Sequence, residues 1–321
     1  SGSNLEDISF YKTNLNRADL TYANLYGVDI RTAMMQDIRA TNLQSCENMD
    51  LPYEFLEDEF GEYERDDDGE RIKIYSWHCI GNNLVGPTAN LSNTNIVLKN
   101  MQGFNLSQVD FSDSLLLDNN LSDANLERAD FSRSNLDGSK LTGANLTNAN
   151  LSSASLRYAD LSYSDLHGAD LTGADLSNVR ATNIQRCPLA LPDEWSCINN
   201  HLLGPKANLA GVNLSNSNLS NVNLSEATLS GSNLSGTTLV STDLSNSNLI
   251  GADLSEAYLV GAKLSGADLT EADLSDADLR GAVLSGANLF NADLDNIVWF
   301  FTTCPDGTNS DDNGNTCENN L

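Results

Sequence analysis

The sequence predicts an all-β fold, a solenoid in which one short segment repeats along the chain, and three observations carry that prediction. An apolar residue recurs every five positions, the residue before it is most often Asn or Asp, and the residue two before it is small. A period of five matches neither the 3.6 of an amphipathic helix nor the 2 of an alternating strand. A chain that turns a corner every five residues accounts for it, with one large side chain sent inward per segment.

The register appears in three blocks. The first runs from Leu5 through Phe10, Leu15 and Leu20 to Ala40, over 8 positions, and the second from Leu91 through Ile96, Met101, Leu106 and Phe111 to Ala181, over 19. The third runs from Leu209 to Trp299, again over 19 positions. Asn or Asp precedes the apolar residue at 15 of 19 positions in the second block and 13 of 19 in the third, and these side chains favour turns by bonding nearby backbone. Ala18, Ala129, Ala174, Ala252, Ala267 and Ala277 supply the small second inward position.

Stretches such as "ADLSYSDLHGADLTGADLSN" resemble the pentapeptide-repeat family, whose pattern is A-(D/N)-L-X-X, over roughly 46 repeats. The resemblance implies a right-handed quadrilateral β-solenoid with four repeats per coil. At about 4.8 Å between stacked strands it implies a rod on the order of 55 Å long. The family includes gyrase-binding resistance proteins, so the resemblance also implies a second reading, an acidic DNA mimic that binds a topoisomerase. The cysteines and the lack of a dimerising C-terminal helix stand against it.

Six cysteines fall as one pair at the end of each block: Cys46 with Cys79, Cys187 with Cys197, Cys304 with Cys317. Their flanks repeat too, "DIRATNLQSC" beside "NVRATNIQRC", with Trp77 and Trp195 each two residues before the second cysteine. This shared context favours three local disulfides over the other connectivities of six cysteines. A metal site lacks a C-x2-C or Cys/His cluster, and free buried thiols are the remaining alternative. Disulfides of this kind persist in oxidising compartments, so the protein is read as extracellular or periplasmic.

The organisation expected is therefore residues 1–45, 87–186 and 205–303 as repeat blocks, with a cysteine-bounded acidic insert at 46–86, a disulfide loop at 187–204 and a disulfide-closed C-terminal loop at 304–321. The insert, "LPYEFLEDEFGEYERDDDGERIKIYSW", interleaves aromatics with acids. It reads either as a hairpin-like arm able to contact an unknown protein partner or as a solvated loop.

Composition excludes several functions. With 17 Lys+Arg against 45 Asp+Glu the formal charge is −28, which argues against nucleic acid as a direct ligand. No apolar run is long enough for a membrane span. Only His78, His167 and His201 occur, none beside a plausible nucleophile, and no catalytic motif is present, so the chain reads as a non-enzyme without a cofactor. One ion-binding alternative stands: Asn309, Asp311 and Asn313, followed by Gly314, have the spacing of half a calcium loop, without its closing Glu. Glu64, Asp66 and Asp68 before Gly69 repeat the partial pattern.

Neither end of the chain shows a capping helix, and the ends written in series, "CENNL" and "SGSNL", echo the internal "CIGNNLVGPTANL". The expectation is an exported structural or scaffold protein whose copies stack head to tail into filaments. Leu5, Phe10 and Leu15 would form one contact surface, and Trp299, Phe300, Phe301 and Leu321 the other. An exported binding module acting through the acidic insert is the further alternative.

Overall fold

The structure, a computed structural model, describes residues 2–47, 49, 51, 53–55, 73–75 and 77–317. The chain divides into two compact units, one comprising Ser1–Ser155 and Asp165–Leu171, the other Leu156–Ser164 and Thr172–Leu321.

In the first unit, residues 120–124 show how one segment is built. The Ala124 N–H donates to the Leu121 carbonyl at 3.2 Å and closes a turn whose third residue, Asp123, has φ 58°. That left-handed backbone is open to Gly and tolerated by Asn and Asp. Gly103, Gly143 and Asn148 fill the same place in other segments. Before the turn, the chain bonds in both directions along the stack. The Asn120 N–H donates to the Lys99 carbonyl at 2.9 Å and the Leu121 N–H to the Lys140 carbonyl at 2.7 Å. Parallel bridges repeat this step of 20 residues, from Asn90↔Asp110 to Asn150↔Asp170, so four five-residue segments make one coil.

The Asn or Asp of each segment does two jobs. Its Oδ1 accepts the backbone N–H two residues on, as Asn145 does from Thr147 at 3.1 Å. An Asn amide also reaches its neighbour one coil away: Asn145 Nδ2 donates to Asn125 Oδ1 at 3.1 Å, and Asn125 Nδ2 to Asn105 Oδ1 at 3.3 Å. Inside, Leu106, Leu126 and Leu146 are fully buried, and the stacked rings of Phe111 and Phe131 lie 5.4 Å apart.

The second unit is built the same way, with bridges running from Asn208↔Thr228 to Val283↔Thr303 at the same 20-residue step. Its core is a ladder of Leu209, Leu229, Leu249 and their equivalents, lined by Ala252, Ala267 and Ala277. At several segments a hydroxyl replaces the alanine and is buried and bonded to a core carbonyl. Thr237 Oγ1 donates to the Leu234 carbonyl at 2.5 Å, Thr242 Oγ1 to Leu219 at 2.7 Å and Ser247 Oγ to Leu244 at 2.7 Å. A polar side chain is thus accepted in the core because the corner carbonyls beside it can take a donor.

Conventional strands occur only at the cysteine-bounded segments among the described residues. β1 (Tyr53–Phe55) pairs antiparallel with β2 (Lys73–Tyr75), β3 (His78–Ile80) with β4 (Asn83–Val85), and β5 (Ser196–Ile198) with β6 (His201–Leu203). A 3-10 helix spans Ser310–Asn313.

Candidate functional site

Among the described residues the distinctive sites are where the repeat is interrupted. At the first interruption, Gly81 and Asn82 both have positive φ and turn β3 back into β4. At the second, Asn199 and Asn200 do the same between β5 and β6. Two left-handed residues in succession are what a tight two-residue hairpin needs, and Gly and Asn supply them at least cost.

Both hairpins splice into the ladder through matching bonds. The Leu84 N–H donates to the Ala40 carbonyl and the Leu43 N–H to Asn82, while the Leu202 N–H donates to Ala181 and the Ile184 N–H to Asn200. The ladder then resumes, with the Asn90 N–H on the Ile38 carbonyl and the Asn208 N–H on Val179, each at 2.9 Å. The second strand of each hairpin therefore stands where a repeat segment would stand.

Three further pairings hold the splices. The indole of Trp77 lies over Gly86 and that of Trp195 over Gly204, with no room for a Cβ at either glycine. Arg39 reaches forward to Asn90 Oδ1 at 2.7 Å and the Ser92 carbonyl at 3.1 Å, and Arg180 reaches the Ala210 carbonyl at 3.1 Å. The Asn42 N–H donates to Asn83 Oδ1, and the Asn183 N–H to Nδ1 of the buried His201 at 3.3 Å. Burial, then the charge of Arg180, holds the His201 pKa below its ordinary value. The repeated R-A-T-N and the equally placed tryptophans carried this signal in the sequence. The glycines and His201 did not stand out.

All six cysteines are joined, Cys46 to Cys79, Cys187 to Cys197 and Cys304 to Cys317, with Cα separations of 5.9, 6.0 and 5.3 Å. They differ in access: Cys304 and Cys317 are fully buried, whereas Cys187 is exposed. In the acidic insert, β1 and β2 form a paired stem with Tyr53 opposite Tyr75. Glu64, Asp66 and Asp68 lie outside the described residues.

The C-terminal loop is more than a polar turn. The Ser310 N–H donates to the Thr302 carbonyl, the Thr302 N–H to Ser310 Oγ, and Ser310 Oγ to the Trp299 carbonyl. Asp311 Oδ1 accepts the Phe301 N–H at 2.9 Å, Asn309 Oδ1 accepts the Asp311 N–H, and Asn313 Nδ2 donates to Thr308 Oγ1. The three residues with calcium-loop spacing are engaged in folding the loop back on the last coil, which gives that coil the short helical cover the sequence reading did not expect. Among the described residues no cluster of three His, Cys, Asp or Glu side chains could hold a metal ion.

The residues expected at contact surfaces divide. Leu15 is 8% exposed and Trp299 5%, so both belong to the interior, as the inward phase of the repeat dictates. Leu5 and Phe10 are half-buried, Phe300 and Phe301 are exposed with their rings 4.3 Å apart, and Leu321 lies outside the described residues. Charged groups elsewhere form exposed pairs, such as Arg133 with Asp113 at 2.6 Å and Lys263 with Asp243 at 3.1 Å. Arg31 beside Asp29 lowers the Asp29 pKa to about 2. Among the described residues no helix is long and apolar enough to cross a membrane.

The family model "Pentapeptide repeats" matches in 8 copies, over residues 1–37, 105–148, 120–157, 144–184, 207–246, 239–276 and 267–297. Among solved structures the chain is similar to HetL of Nostoc sp. strain PCC 7120, a pentapeptide repeat protein involved in heterocyst differentiation regulation. Identity is 25%, with 93% of this chain and 92% of that one covered and a TM-score of 0.27. It is also similar to a pentapeptide repeat protein of the Arabidopsis thaliana thylakoid lumen, at 30% identity over 33% of this chain and 70% of that one, TM-score 0.26. QnrB1, a plasmid-mediated fluoroquinolone resistance protein, matches at 18% identity over 65% of this chain and 90% of that one, TM-score 0.28. No curated protein matches the chain.

Proposed function

Since this chain belongs to the pentapeptide-repeat family, we propose that it is a non-catalytic scaffold of an oxidising compartment, extracellular or periplasmic, built as a right-handed solenoid. The observation that carries this reading is that every cysteine is paired, two pairs at the interruptions of the repeat and the third in the C-terminal loop. Disulfides placed there restrain the chain beside the repeat, and they persist where thiol reductants are scarce. Among the described residues the backbone and core side chains of the repeat are committed to the stack, which leaves surface recognition, including contact between copies, as the work of outward side chains.

The test is a thiol count on protein isolated from its native compartment, denatured without reductant and treated with a maleimide. No labelled cysteine is the expected result; six labelled cysteines would contradict the assignment to an oxidising compartment. Unaltered gyrase supercoiling at high protein excess is also expected, and inhibition would favour the topoisomerase-binding alternative.

A second reading, an exported binding module, draws support from the paired stem of the insert. Deleting residues 50–76 would abolish partner capture on that reading and leave it intact on the scaffold reading.

A further inference from the structure

The two hairpin splices differ at one place, and the difference opens a cleft. At the first splice the rings of His78 and Phe104 stack, with centroids 3.5 Å apart and planes 8° from parallel. His78 immediately precedes Cys79, and Phe104 lies as far past Gly86 as Val222 lies past Gly204. At the second splice the same two places therefore hold Ser196, just before Cys197, and Val222. Both rings of the pair are replaced together by small side chains, and both replacements line a cleft of about 540 Å³. Small-molecule sites span roughly 300–1,000 Å³.

The cleft has an apolar floor and a polar rim. Val222 is buried and Trp195 and Ile198 are half-buried, whereas Glu194 and Asn221 are exposed. Trp77 clamps its glycine in the same way at the first splice but is only 5% exposed, so the clamp itself does not require the opening at Trp195. The rim is also held from outside the hairpin. Asn223 Oδ1 accepts the Ser225 N–H and hydroxyl, and its Nδ2 donates to Glu194 Oε2 at 3.0 Å, which fixes one carboxylate oxygen at the mouth.

We propose that this cleft binds a neutral sugar, its ring packed on Trp195, Ile198 and Val222 and its hydroxyls bonded to Glu194, Asn221 and Ser196. None of the residues that line it is basic, and the chain carries a formal charge of −28, so an anion is disfavoured. A lone carboxylate, one oxygen of which is already bonded, does not make a metal site. A sugar combines a C–H face for the apolar floor with hydroxyls that donate to the carboxylate and both donate to and accept from the Asn221 amide. The inference goes beyond the scaffold reading and does not depend on it. Its test is binding by purified protein, whereas the thiol count tests the compartment alone.

The experiment is titration of the intact oxidised chain with the methyl glycosides of glucose, galactose, mannose and N-acetylglucosamine, up to about 100 mM, followed by saturation-transfer NMR and tryptophan emission. At least one is expected to bind saturably with Kd on the order of 1–10 mM, as a shallow site with few hydrogen bonds allows. Methyl glucuronide, which adds a carboxylate, is expected to bind at least tenfold more weakly. The double variant Ser196→His/Val222→Phe restores the ring pair of the first splice and is expected to keep the melting temperature and weaken binding at least tenfold. Asn221 has φ 63° where Gly103 has 70° at the first splice. Asn221→Gly therefore removes the amide without straining the backbone, and it is expected to weaken binding severalfold. Absence of binding by all four glycosides, methyl glucuronide binding as tightly as they do, or undiminished binding by either folded variant would each overturn the proposal.

Discussion

The indole of Trp195 lies so close over Gly204 that a Cβ at that position would overlap its ring atoms, and Trp77 stands in the same relation to Gly86. Each pair clamps a hairpin onto the coil beside it. Gly204→Ala is therefore expected to destabilise the chain by about 1–3 kcal/mol through overpacking. Gly204 has no left-handed φ, so this cost is steric. Denaturant unfolding followed by circular dichroism measures it, and a change below a few tenths would show that the clamp yields freely.

His201 gives the second splice a pH dependence. Its pKa is lowered in the fold, by burial first and then by Arg180, and its Nδ1 must stay unprotonated to accept the Asn183 N–H. The unfolded chain binds this proton at higher pH than the folded chain does, so stability rises with pH across the interval. The contribution is complete above about 6.5, the ordinary histidine value, and is lost as pH falls toward the lowered one. His201→Asn, copying Asn83 of the first hairpin, is expected to flatten this part of a melting-temperature profile between pH 7 and 5. A profile parallel to wild type would contradict the role.

The three disulfides are expected to open in order of access. Thiol exchange requires the reductant to reach a sulfur, and Cys187 is exposed while Cys304 and Cys317 are fully buried. Under limiting reductant, maleimide labelling read by mass spectrometry should find Cys187 and Cys197 first and Cys304 and Cys317 last. Early labelling of Cys317 would show that the C-terminal loop does not hold its cover.

Buried hydroxyls in the core are expected to behave oppositely according to their partners. Ser232 Oγ is buried with no hydrogen-bond partner, whereas Thr242 Oγ1 donates to the Leu219 carbonyl. Ser232→Ala should be neutral or stabilising, and Thr242→Val should cost about 1 kcal/mol. Equal losses in thermal unfolding would show that the two hydroxyls are satisfied alike.

The period of five was legible because it sets which side chain faces inward, and residues such as Leu106 and Leu229 follow it without exception. The left-handed corner was legible in principle, since Gly103, Asp123 and Asn148 share one phase, but the more abundant Asn and Asp one residue before each leucine drew the turn argument to themselves. Asn145 shows why both signals exist: it bonds its own turn and its neighbour's amide at once. The cysteine pairs were legible from repeated context. The hairpin splices were not, because the bond from Leu84 to Ala40 joins residues whose relation depends on a turn at Gly81 and Asn82 that five-residue counting treats as a gap. Trp299 keeps the inward phase of the repeat and is buried, as Leu15 is.

The central claim is that the hairpins continue the ladder through the interruptions of the repeat. Native-state amide hydrogen exchange of the oxidised protein tests it at Leu84, Asn90, Leu202 and Asn208. Protection comparable to that of Leu214 or Leu229 within the repeat is predicted, because these amides donate to Ala40, Ile38, Ala181 and Val179. Exchange at the rate of the exposed Leu189 would mean that the ladder stops at each cysteine pair and that the blocks are separate elements.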